Sequence, residues 1–136
     1  MAVKVAKTIR FEASHMLAGH EGLCRNLHGH SYRVDIAVEG ETGADGMVID
    51  FKELKRIANE EICARFDHAF ICREGADGTE GRIAALLEAE GLKTARVPAR
   101  PTAENLAAQF KRLLEKRIRG VCSVAVWETA DSRAEA

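Results

Sequence analysis

The chain has 136 residues, with 20 basic and 21 acidic side chains and a formal net charge of -1. No global basic field therefore favours nucleic acid, and no acidic excess points to disorder. No apolar run approaches the roughly 20 residues that cross a bilayer, and the N-terminus enters a strand pattern with no apolar signal core, so a cytoplasmic protein with no membrane partner is expected. The length predicts one domain over 1–136, near the size at which assembly often helps.

In the first segment, Val3, Val5, Ile9, Phe11, Ala13 and His15 share odd parity, interrupted only by Lys7, which predicts a strand with His15 at its end. A second strand is predicted from His28, because His28, His30, Tyr32, Val34, Ile36 and Val38 share one face while Ser31, Arg33, Asp35 and Glu39 take the other. A lone buried His is usually a hydrogen-bonded core residue. Two on one face need a shared partner, and a metal is the simplest one. If the two strands pair as a hairpin across Leu17 to Leu27, His15 becomes a third nitrogen ligand. Three neutral imidazoles with an open fourth position suit a catalytic zinc site; the alternative is a closed structural site completed by Cys24 or His20. Of the four cysteines, Cys24, Cys63, Cys72 and Cys122, none forms a Cys-x-x-Cys pair, which argues against redox and zinc-ribbon readings.

Gly40 to Gly46 is turn chemistry. Asp50 then caps a helix, with Glu53 placed to complete a capping box. Phe51, Leu54, Ile57, Ala58 and Ile62 recur at helical spacing to about Phe66, and Asp67-His68 follows where the helix stops. Residues 73 to 81 read as a loop, 83 to 89 as a short helix and 94 to 97 as a brief strand. Thr102 caps a second long helix carrying Leu106, Phe110, Leu113, Leu114 and Ile118, closed by Gly120. Val121 to Trp127 is a final strand, and Ala130 to Ala136 reads as a frayed tail. The pattern predicts an α+β fold, with two long helices on one face of an antiparallel sheet.

The ordered set Phe11-Glu12-Ala13-Ser14-His15, Cys24-x3-His28-Gly29-His30-x-Tyr32, Ile49-Asp50-Phe51, Asp67-His68, Pro101-Thr102-x-Glu104-Asn105 and Glu128-Thr129 resembles the 6-pyruvoyl/6-carboxy tetrahydropterin synthase family over nearly the whole length. The resemblance implies the tunnelling fold, whose sheets join into a barrel in a hexamer-like homo-oligomer with active sites between subunits. It implies Zn2+ on His15, His28 and His30, and 7,8-dihydroneopterin triphosphate as substrate. Cys24 would accept a proton, the bland alternative being a packing residue. Asp67 and His68 would relay that proton, where the pair alone reads as a local hydrogen bond. Glu128 would anchor the pterin through two parallel hydrogen bonds, against a rim-exposed Glu on the sheet edge. Thr102 and Glu104 would hold the rest of the ring, although Thr102 also serves as a plain cap. The short chain and Cys24-x3-His28 look more like the branch that makes 6-carboxy-5,6,7,8-tetrahydropterin with loss of acetaldehyde, towards queuosine. The 6-pyruvoyl product is the near alternative, and a non-catalytic, zinc-stabilised pterin-binding oligomer is the rival of another class.

Overall fold

A computed structural model describes residues 1–136. Its frame is a hairpin of two 14-residue strands, β1 (Ala2–His15) and β2 (His28–Glu41), antiparallel throughout from Ala2 opposite Glu41 to His15 opposite His28. That register puts Ile9, Phe11, Ala13, Tyr32, Val34, Ile36 and Val38 on one buried face. β3 (Ala69–Arg73) and β4 (Thr94–Val97) extend the sheet from β1, and β5 (Val121–Thr129) and β6 (Ser132–Glu135) extend it from β2. The spatial order is β4-β3-β1-β2-β5-β6.

The expected antiparallel sheet needs correcting: β3 runs parallel to β1, and β4 parallel to β3, so the sheet is mixed. The chain returns from each helix to start again at the same end of the sheet, which a parallel pair requires. The tail does not fray either. β6 pairs antiparallel with β5, and Ala136 exchanges two 2.9 Å backbone hydrogen bonds with Val124.

Helix α1 (Phe51–Ala58) continues through a π-helical segment, Asn59–Cys63, and a last turn, Ala64–Phe66. Asp50 caps it by accepting the Lys52 amide at 2.7 Å. The capping box does not close, because Glu53 is drawn instead to Arg56. Helix α2 (Gly78–Ala89) starts five residues before the expected one, and α3 (Ala103–Glu115) is capped by Thr102, whose hydroxyl accepts the Asn105 amide at 3.2 Å.

The two long helices cover one sheet face as expected. Leu54, Ile57, Ile62 and Phe66 from the first, and Leu106, Phe110 and Leu114 from α3, meet the hairpin in a core of 24 buried residues. Alternation along β3 sends Ala69 and Ile71 into that core and Phe70 and Cys72 to the other face, where α2 supplies Ala84. Glu80 of α2 is buried there, accepting the Arg73 amide at 2.9 Å. Where β5 begins, Gly120 has φ +88 and packs so closely on the Glu39 carbonyl that a Cβ would lie 2.3 Å from it; only glycine fits.

Candidate metal centre and active site

The hairpin closes on its ligands. His15 ends β1, His28 opens β2 directly opposite, and His30 lies two residues on, across from Ala13, so all three imidazoles share the helix-covered face. Their ligand atoms lie within 4.8 Å of one another. His15, 1% exposed, donates from Nδ1 to the Pro101 carbonyl at 2.7 Å, and His28 donates from Nδ1 to the Asn26 carbonyl at 2.7 Å. With both Nδ1 atoms protonated, both Nε2 atoms carry lone pairs, and these face each other at 3.1 Å. His30 Nε2 is buried with no hydrogen-bond partner. Convergent lone pairs repel unless a cation lies between them, so the donor set fits a metal ion.

The surroundings of His15 and His30 favour the neutral form that a ligand needs. Burial pushes the His15 pKa down to about 4, partly opposed by the Pro101 carbonyl and helped by His28 and His30. Burial, then His28, also lowers that of His30. Behind His15, the Tyr32 hydroxyl lies 3.3 Å from Nδ1, and its ring stacks on Phe11 at 4.9 Å. Burial, then the Glu128 charge, raises the Tyr32 pKa and keeps the phenol protonated.

Glu128 of β5 stands at the rim. Its Oε1 is 4.0 Å from His15 Nε2 and its Oε2 is 3.8 Å from His30 Nε2. Burial raises its pKa, repulsion from Glu104 adds to this, and His28 opposes it. Thr102 and Glu104 open α3 just after Pro101, the residue whose carbonyl orients His15. The helix N-terminus, the carboxylate and the three imidazoles thus form one neighbourhood.

Cys24 is exposed in a 3-10 turn, Leu23–Arg25, whose carbonyl holds the loop by accepting the Leu17 amide. Neither Cys24 nor His20 belongs to the imidazole cluster, and His20 Nδ1 instead accepts the Gly22 amide at 2.9 Å.

Asp67 and His68 lie elsewhere. Asp67 Oδ1 accepts the Glu12 amide at 2.9 Å, Oδ2 is 3.0 Å from His68 Nδ1, and the His68 amide donates to the Glu12 carbonyl. The Glu12 amide, reinforced by His68 and outweighing partial burial, holds the Asp67 carboxyl below its ordinary range. His68 has φ +61, an uncommon conformation for a non-glycine residue, and its side chain is 77% exposed. It lines a groove of about 420 Å³ with Glu12, Ser14, Phe70 and Lys93 that contains none of the three metal-site histidines. Within one chain the dyad and the cluster do not share a site.

Sequence reasoning missed Tyr32, Pro101 and Asn26 as the groups that orient the ligands. The parity of Tyr32 with His28 and His30 was the available signal; the two carbonyls left none.

A family model described as 6-pyruvoyl tetrahydropterin synthase matches residues 4–136. A Haemophilus influenzae protein named 6-carboxy-5,6,7,8-tetrahydropterin synthase is 39% identical, over 97% of this chain and 96% of its own length. One of the same name from Synechocystis is 35% identical over 96% and 89%. Among solved structures, an uncharacterized protein from Wolinella succinogenes superposes with a TM-score of 0.81 at 25% identity, covering 100% of this chain and 98% of that one. Plasmodium vivax 6-pyruvoyltetrahydropterin synthase, at 20% identity over 100% and 97%, superposes at 0.76 and shares the fold. No helix is long and apolar enough to cross a membrane.

Proposed function

Since the chain belongs to the 6-pyruvoyl tetrahydropterin synthase family, we propose that it is a lyase that converts 7,8-dihydroneopterin triphosphate and one water to 6-carboxy-5,6,7,8-tetrahydropterin, acetaldehyde and triphosphate, in queuosine (7-deazaguanine) biosynthesis. The observation that carries the reading is the set of three imidazoles whose ligand atoms converge while backbone carbonyls hold two of their Nδ1–H groups. His15, His28 and His30 hold Zn2+, which when bound supplies Lewis acidity towards the substrate's side-chain hydroxyls. Glu128, with Thr102 and Glu104 beside it, grips the pterin edge, where a carboxylate matches two parallel N–H donors. Cys24 takes a proton from the substrate side chain, and His68, oriented by Asp67, passes it on. Because the dyad lies away from the cluster in its own chain, a second copy has to bring it to Cys24. The enzyme therefore works as a homo-oligomer with its site between subunits.

The name of the matching family model keeps the 6-pyruvoyl product as the second reading. Incubating the zinc-loaded protein with 7,8-dihydroneopterin triphosphate separates the two: acetaldehyde with a 6-carboxypterin supports the first, and a 6-pyruvoyl product without acetaldehyde the second. No turnover by a zinc-loaded oligomer would leave a non-catalytic pterin-binding module. Cys24→Ala abolishes turnover while retaining the metal; loss of metal in that variant would make Cys24 a ligand instead.

A further inference from the structure

The sheet face turned away from the long helices carries an arrangement that the metal site does not use. The strand registers place Arg10 of β1 opposite Arg33 of β2, Arg33 opposite Trp127 of β5, and Trp127 opposite Arg133 of β6. Three guanidinium groups and the only tryptophan therefore form one straight row across four strands, about 14 Å wide at a strand spacing of about 4.8 Å. Like charges directly opposite each other on a sheet are destabilising, so the Arg10–Arg33 pair costs stability unless something negative lies against it.

The row is held rigid from one side. Asp35 accepts the Trp127 indole N–H at 2.9 Å, Arg33 Nε at 3.0 Å and the Thr8 hydroxyl at 2.7 Å. Arg33 and Arg133 also lie 5.1 and 5.2 Å from the indole centroid, within cation–π range. Asp35 engages only the Nε of Arg33, leaving that guanidinium's two outer amino groups unspent. Arg10 has no carboxylate partner, and Arg133 has only the indole. Of the flanking acids, Glu12 takes the Ser31 hydroxyl and Glu135 stands opposite Ala125. Elsewhere on this face the charged cross-strand pair is complementary, Lys4 opposite Glu39. A cavity of about 280 Å³ opens against the row, lined by Arg10, Ser31, Arg33, Trp127, Thr129 and Ala130.

We propose that this row is a binding site for a polyphosphate anion, free or carried by a nucleotide. Planar guanidinium forks donate in pairs to phosphate oxygens, and several in line match a chain of phosphates better than one compact anion. The site lies on the opposite sheet face from the imidazole cluster and does not depend on the reaction assigned above.

Trp127 is its own probe. Its fluorescence is titrated with inorganic triphosphate, ATP and orthophosphate, on protein as isolated and after metal removal, with calorimetry in parallel. Triphosphate gives a saturable change, with or without the metal, that weakens as salt rises, and orthophosphate binds more weakly. Equal affinity for triphosphate and ATP identifies the free chain as the ligand; tighter ATP binding identifies the nucleotide. Arg10→Ala weakens binding about tenfold, Arg10→Glu abolishes it, and Arg10→Lys restores part of it, while circular dichroism and metal content stay unchanged. Absence of saturation at millimolar triphosphate overturns the proposal. So does binding that survives Arg10→Glu, or that is lost in His28→Ala, which would place the anion at the imidazoles.

Discussion

The helix-covered side of the β1–β2 hairpin is apolar from Val38 to Phe11 except at Lys7 and ends in three imidazoles, whereas the opposite side is mostly polar and centres on arginines beside the Trp127 indole of β5. Both sides use the same two strands and the same register. On the covered side each residue is held by packing, so polar groups survive there only where a partner is supplied. Pro101, Asn26 and Tyr32 supply partners for His15 and His28, and the unpartnered His30 nitrogen points to an ion. On the open side water satisfies most groups, and the informative feature is a charge pattern that water alone does not explain.

The largest expected effect breaks the covered side at its end. His28→Ala removes one of three ligands, and the protein no longer retains stoichiometric metal on gel filtration or turns over substrate. Retention of a full metal equivalent would mean that the cluster is not the site.

Next comes the packing contrast. Phe110 is fully buried, 4.9 Å from the Phe66 ring and 5.9 Å from that of Phe11, and Phe110→Ala lowers unfolding stability by about 3–5 kcal/mol. Lys4→Ala on the open face stays within about 0.5 kcal/mol. Equal effects in denaturant titrations would erase the distinction between the faces.

Smaller again is Tyr32→Phe, which keeps the ring stacked on Phe11 but removes the hydroxyl behind His15. Metal affinity falls about tenfold, read by competition with a chelator, while the melting temperature changes little.

The smallest effect lies in the pH dependence of stability on the open face. Burial alone would raise the Asp35 pKa, but hydrogen bonds from Thr8, Arg33 and Trp127 and the Arg33 charge outweigh it, so the carboxyl titrates below its ordinary range. Its stabilising contribution is full above the ordinary aspartate pKa of about 3.9 and is lost as pH falls through the depressed folded value. Asp35→Asn is therefore less stable than the parent at neutral pH, and the gap narrows in acid. A gap independent of pH would show that the carboxylate's charge contributes nothing.

How much could be read beforehand follows the same division. Strict alternation and helical spacing disclosed the hairpin, the three histidines and both long helices, because burial on one face leaves a period in the residues. β3 is five residues long with four of them buried, so it has no alternation to read, and its parallel pairing with β1 is set by the path of the chain. β6, Ser-Arg-Ala-Glu, has no apolar period; it exists because the edge of β5 offers backbone partners. Glu80 falls in the stretch that reads as a loop, because nothing in its neighbours announces the amide it meets at the end of β3. The arginine row is invisible in linear order, since Arg10, Arg33, Trp127 and Arg133 become neighbours only once three registers are known.

The carbonyl that orients His15 belongs to the residue just before the cap of α3. Anyone sliding that helix would also turn the imidazole and carry its Nε2 away from the point where the three ligand atoms gather. Helix position and imidazole geometry are geared together here, and an engineer would have to retune both at once.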